Sequence, residues 1–128
     1  MNADTRDDDS NQLRHELAQF TGREQQFHRF PIDNGYVFTE GVRHLAWRAR
    51  ARWLIADIAL AQSQSARVRK TPFQVWKLIV NCAGGATLEC EDGNGRQVFT
   101  RRYDNTDFPL PEIILLLVGK VIYLPSEH

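Results

Sequence analysis

The sequence predicts an α+β domain in which an antiparallel β-meander sheet packs against one long central α-helix, with short N- and C-terminal helices. Three patterns predict it. Val42, Leu45, Ala46, Ala49, Trp53, Ala56 and Leu60 recur at steps of three and four, the stripe of an amphipathic helix over about residues 40–62. Trp76, Leu78, Val80 and Cys82 alternate on one strand face, and Ala86, Leu88 and Cys90 alternate after the turn Ala83, Gly84, Gly85. Asp92, Gly93, Asn94 and Gly95 then supply hairpin-turn chemistry before a third strand over about 96–102.

The remaining elements follow in order. Residues 1–9 hold Asp4, Asp7, Asp8 and Asp9 with almost nothing apolar, and are expected to form a disordered acidic tail outside a single domain over 10–128. Ser10 can cap a short helix with Leu13, Leu17 and Phe20 on one face, ended by Gly22. Gln26 to Phe30 suits a short strand, and Asp33, Asn34 and Gly35 a turn into Tyr36, Val37 and Phe38. Thr39 is placed to cap the long helix, whose second half adds Leu54, Ile55 and Ile58 on other faces and is therefore expected to be buried nearly all round. Gln62 to Lys70 is a polar, basic linker. Pro109 and Pro111 give a start signal for a short helix through Leu117 with Gly119 as its stop, although the apolar run 110–118 could equally be a buried strand. Val121 to Leu124 is a last strand before Pro125.

Bulk properties exclude several classes. The chain has 128 residues, enough for one core that buries roughly two-thirds of the surface its unfolded form exposes. Sixteen basic and sixteen acidic residues cancel, so no global field draws the chain to nucleic acid or to an anionic membrane. The longest apolar run, Ile113 to Val118, falls far short of the roughly 20 residues that cross a bilayer, and the polar N-terminus has no apolar targeting segment. A soluble, cytoplasmic protein is the expectation. A three-residue hairpin loop would set Cys82 opposite Ala86, Val80 opposite Leu88 and Leu78 opposite Cys90, which separates the two cysteines and makes both buried hydrophobes.

Candidate chemistry is sparse. Between residues 43 and 70, Arg43, Arg48, Arg50, Arg52, Arg67, Arg69 and Lys70 face a single carboxylate, Asp57. Arginines around a surface Trp47 have the composition of a protein-interface hot spot and equally of a base-stacking, phosphate-tracking surface. A solvated face paired with the acidic tail or with Glu89 and Glu91 is the plainer alternative. His15, His28, His44 and His128 lack the spacing of a zinc site, so neither metal nor cofactor is expected. A catalytic site would have to be assembled from Cys82 or Cys90 with His28 or His44 and Asp57, all on separate elements, and none is assigned. Asp57 sits where burial is expected, and a salt link to an arginine suits it better than catalysis.

Several peptides carry a resemblance: Gln19-Phe20-Thr21-Gly22, Phe38-Thr39-Glu40-Gly41-Val42, Trp53-Leu54-Ile55-Ala56-Asp57-Ile58, Phe73-Gln74-Val75-Trp76-Lys77-Leu78 and Thr106-Asp107-Phe108-Pro109-Leu110. Over about residues 13–126 the chain resembles an uncharacterised bacterial family of small plasmid- and prophage-associated proteins, a domain of unknown function. Arg52 stands where that family carries an aromatic, so the basic surface is expected to be peculiar to this chain. The resemblance implies a context and no mechanism: a small non-catalytic accessory protein of a mobile element, in its sharpest form an anti-CRISPR-like inhibitor of a host defence machine. The expected contact is Arg43, Trp47, Arg48, Arg50 and Arg52 on a protein partner. The alternative is nucleic-acid binding that extends to Arg67, Arg69 and Lys70, and an enzyme stands third. Trp76, Leu116 and Ile122 further suggest more apolar surface than one helix layer covers, hence a possible homodimer through the sheet.

Overall fold

The computed structural model describes residues 2–22, 27–29 and 35–128, and for residues 2–8 and 29 the backbone alone. In chain order its elements are α1 (Asn2–Ala18), β1 (Phe27–Arg29), β2 (Val37–Thr39), α2 (Glu40–Arg48), α3 (Arg52–Gln64), α4 (Ala66–Arg69), β3 (Phe73–Val80), β4 (Ala86–Asp92), β5 (Gln97–Tyr103), β6 (Glu112–Val118), β7 (Val121–Tyr123) and a 3-10 turn at Pro125–Glu127. The class is α+β, with one seven-stranded sheet of order β1-β2-β7-β6-β3-β4-β5. Every neighbouring pair is antiparallel except β2 with β7. α1 takes in residues 2–9, read from the sequence as a tail. The turn expected at Asp33 and Asn34 lies outside the described residues.

The single long central helix is not present. It divides at Ala49–Ala51 into α2 and α3, where Arg50 adopts φ 51°. The Ala51 amide donates to the Ala46 carbonyl and the Ala49 amide to Leu45, the closure of a helix whose next residue is left-handed. Burial explains why the chain breaks here. α2 buries Val42, Leu45 and Ala46, whereas α3 buries Leu54, Ile55, Ile58, Ala61 and Gln62. At 3.6 residues per turn these two sets would lie on roughly opposite faces of one continuous helix. The break rotates both onto the same core. Leu60, assigned to the apolar stripe, is instead 41% exposed.

A left-handed conformation costs a side chain roughly 1–2 kcal/mol, and glycine is the residue that adopts it freely. Arg50→Gly is therefore expected to stabilise the fold by up to about 1 kcal/mol, a rise of a few degrees in melting temperature. A lower melting temperature would show that the arginine makes compensating contacts in this turn.

Residues 112–118 form strand β6, not a helix, and β6 is inserted between β3 and β7 with Ile113, Leu115 and Leu117 on the face shared with Leu78, Trp76 and Gln74. The residues read as a helix stop form a hairpin turn: Gly119 and Lys120 both have positive φ, and Val118 pairs directly with Val121. The β3–β4 register is displaced as well, since Val80 pairs with Ala86, Leu78 with Leu88 and Trp76 with Cys90. Asn81 is the cause. Its Oδ1 accepts from the Ala83 and Gly85 amides at 2.9 and 3.0 Å, drawing Asn81 into a longer turn that leaves Cys82 exposed. A shift of two residues preserves the faces, so Leu78, Leu88 and Cys90 stay in the core as expected.

The supposed linker is structured. Its Gln62 lies in the last turn of α3, and Ser65 caps α4 by accepting from the Val68 amide. Gln62 and Gln74, 2% and 1% exposed, face each other as paired amides: each Nε2 donates to the other's Oε1, at 2.8 and 2.9 Å. The remaining groups are used too. Gln62 Nε2 also donates to the Ile58 carbonyl, Gln74 Nε2 to those of Val68 and Thr71, and Trp76 Nε1 donates to Gln74 Oε1. This network ties α3 and α4 to the central strand. Among the described residues, every buried side-chain polar atom has a hydrogen-bond partner.

Candidate functional site

The junction of α2 and α3 opens a cleft of about 1090 Å³. α2 contributes Arg43 and His44 and, one helical turn on, Trp47. The left-handed turn contributes Arg50, and the first turn of α3 contributes Arg52, Trp53 and Ala56. Phe20, beyond α1, and His28 and Phe38, paired across β1 and β2, close the other wall. The aromatic rings run together: His44 lies 5.3 Å from Phe20 and 6.1 Å from Trp47, and His28 lies 5.7 Å from Phe38.

α2 enters this site from a fixed origin. Thr39 accepts from the Val42 amide as the sequence predicts, and the Glu127 carboxylate accepts from the Thr39 hydroxyl at 2.6 Å, from the Gly41 amide and from the Leu124 amide. A Cβ on Gly41 would stand 2.6 Å from Leu124 Cδ1 and 2.7 Å from Glu127 Oε1, so any larger residue would displace the Leu124 and Glu127 side chains from this closure.

Two carboxylates organise the cations. Glu40 Oε1 accepts from His28 Nε2 at 3.0 Å and from Arg43 Nη1 at 3.2 Å. Glu16, on α1, accepts from His44 Nε2 at 2.6 Å and takes both Nε and Nη2 of Arg48 at 3.0 Å, a bidentate pair. The hydrogen bonds of Arg48 and then of His44 hold the Glu16 carboxyl down at about 2. A depressed carboxylate contributes stability above its unfolded pKa, about 4.3, and loses it as the pH falls through the folded value. Between about pH 4 and pH 2 the attachment of α1 to α2 should therefore weaken. Urea midpoints measured across that range should fall more for wild type than for Glu16→Gln, and equal slopes would remove the assignment.

The expected contact residues divide. Arg43, Trp47, Arg50 and Arg52 meet at the cleft, and Trp47 is 73% exposed. Arg50 and Arg52 are exposed and form no hydrogen bond or ion pair among the described residues. Arg48 does not join them, because Glu16 holds it. Arg67, Arg69 and Lys70 lie on and just after α4, beyond the far end of α3 and roughly 20 Å along its axis from Arg52. There Arg69 Nη1 donates to the Gln62 carbonyl at 3.0 Å. Arg69 and Lys120 border a second cleft of about 570 Å³.

Asp57 has the salt link expected of it, with Arg101 Nη1 at 3.7 Å, and it also accepts from the Tyr103 hydroxyl at 2.6 Å. Burial, and then the hydrogen bond to Asp57, push the Tyr103 phenol well above its usual range. Trp53 meets Tyr103 edge-on at 5.0 Å, so this group supports the cleft wall from behind. Burial raises the Cys90 thiol to about 12, which leaves it a packing group. His28 and His44 reach the cleft, each bonded to a different carboxylate, while Asp57, Cys82 and Cys90 do not line it. Among the described residues no group of three or more His, Cys, Asp or Glu could hold a metal ion, and no helix is long and apolar enough to cross a membrane.

Sequence reasoning missed Glu16, Glu40, Phe20, Phe38 and Trp53 as parts of this site. Glu40 with Arg43 at i, i+3 was a readable local signal. The others are joined only by the fold.

A small α+β domain with a cleft at a broken helix is thus the class that the architecture defines. The chain belongs to the family of unknown function DUF6876, which matches residues 11–128. No curated protein and no solved structure matches it.

Proposed function

We propose that the protein is a non-catalytic docking module that holds a protein partner at the α2–α3 cleft. One observation carries this reading: Trp47 is 73% exposed beside two arginines, Arg50 and Arg52, that have no partner among the described residues. Trp and Arg are the residue types that most often dominate binding energy at interfaces, and here they stand together, exposed, along one cleft. The finer context is bacterial, cytoplasmic and mobile-element-associated, with inhibition of a host defence machine as its sharpest form. It rests on the resemblance of the peptides described above. The test is capture from host lysate with wild type and a Trp47→Ala, Arg50→Ala variant, each with and without nuclease. A nuclease-resistant protein lost in the variant supports the reading; equal capture by both removes it.

Nucleic-acid binding is the second reading, favoured by Arg67, Arg69 and Lys70, which are all exposed. It predicts affinity that falls steeply with salt. The separation of these residues from the cleft argues against one continuous phosphate track. Of the residues that suggested a homodimer, Trp76 and Ile122 are buried in the core, so dimerisation would fall to the opposite sheet face, where Leu116 lies with Val75, Ile79, Ile114 and Tyr123. Sedimentation as a monomer at all concentrations would remove it.

A further inference from the structure

We infer that the segment received by the cleft is an acidic peptide with an apolar anchor, its carboxylates held by Arg50 and Arg52 and its anchor laid on the aromatic wall at Trp47. This rests on the docking reading and adds the chemistry of the ligand. The charge balance of the cleft comes first. Glu40 is shared between Arg43 and His28, whereas Arg50 and Arg52 are uncompensated by any described residue. A guanidinium fork matches a carboxylate with two parallel hydrogen bonds, so an anionic partner is the complement.

The backbone points the same way. Arg50 sits at φ 51° in a turn that glycine would close without strain, and the side chain it carries there lines the cleft. Strain held at a ligand-facing position fits a binding role better than a structural one. The wall supplied by Phe20, Phe38, His44, Trp47 and Trp53 offers an apolar body to a carboxylate's neighbours. The cleft's form suits a chain segment, since it is open along one side and Trp47 stands largely in solvent.

A nucleic-acid strand fits less well. A phosphate backbone needs cations spaced along a track, and here they are confined to one cleft with the Glu40 carboxylate in its wall. Arg67, Arg69 and Lys70 stand at the opposite end of α3.

Fluorescence anisotropy with the full chain tests this. The probes are a labelled peptide of aspartates and glutamates around a central phenylalanine, the same peptide with every acid replaced by its amide, and an oligothymidylate of similar length. The acidic peptide is expected to bind best, the amide peptide roughly tenfold more weakly, and Arg50→Gly and Arg52→Gln each to weaken the acidic peptide by roughly tenfold. Arg50→Gly is expected to be at least as stable as wild type, so its loss of binding does not report unfolding. Equal binding of the amide peptide, preference for the oligothymidylate, or no binding of any probe overturns the inference. Competition separates it from the docking reading. If the acidic peptide fails to displace a partner whose capture depends on Trp47, docking stands and the acidic class falls; if capture ignores Trp47→Ala, both fall.

Discussion

Gln74→Leu is expected to destabilise the protein by about 3–5 kcal/mol, a large part of the roughly 5–15 kcal/mol that holds a domain of this kind together. The volume change is small, so the loss is polar in origin. Gln74 accepts from Trp76 Nε1 and Gln62 Nε2, and donates to Gln62 Oε1 and to the Val68 and Thr71 carbonyls. Leucine strands Gln62 Oε1 and Trp76 Nε1 beside a position 1% exposed, each at a cost of about 1–3 kcal/mol, whereas the Val68 carbonyl keeps the Thr71 amide and Gln62 Nε2 keeps the Ile58 carbonyl. Urea unfolding should show a much lower midpoint with a similar slope. The double variant Gln62→Leu, Gln74→Leu should lose less than the sum of the two single variants, because it also removes one of the stranded partners. A loss under about 1 kcal/mol for Gln74→Leu would mean that the amide pair is not a structural hub.

Trp47→Ala should have the opposite profile, with stability changed by no more than about 0.5 kcal/mol and partner affinity reduced by about 2 kcal/mol, roughly thirtyfold. A side chain 73% exposed has little burial to lose. Its value has to lie in what covers it. Arg48→Ala is the contrasting case, since Arg48 is committed to Glu16 through two hydrogen bonds. That variant should loosen α1 and leave the cleft's affinity largely intact. Isothermal titration against the captured partner, with a melting curve for each variant, separates these outcomes.

Much of the fold was legible where the local pattern and the tertiary demand agree. Thr39 caps α2, the β3–β4–β5 meander forms, and Asp92 to Gly95 makes its turn. The helix break was less legible because Arg50, rather than glycine, occupies the left-handed position. A signal was nevertheless present. Leu54, Ile55 and Ile58 are out of phase with Val42, Leu45 and Ala46, and a phase reversal in one apolar run is the mark of two helices on one core. β6 stayed open between helix and strand because a continuous apolar run suits both, and Gly119 reads equally as a helix stop or as half of a hairpin turn. Arg43, Trp47, Arg50 and Arg52, which line one cleft, were grouped from the sequence because they are neighbours in the chain. Arg48 was grouped with them because Glu16, which removes it, arrives from α1.

The most direct test of the docking cleft is site-specific photo-cross-linking, with a photoreactive phenylalanine at position 47 or, as a control, at position 79 on the opposite face of the sheet. Position 47 should cross-link a partner and position 79 should not; cross-linking from position 79 alone would place the interface on the sheet and contradict the assignment of the cleft.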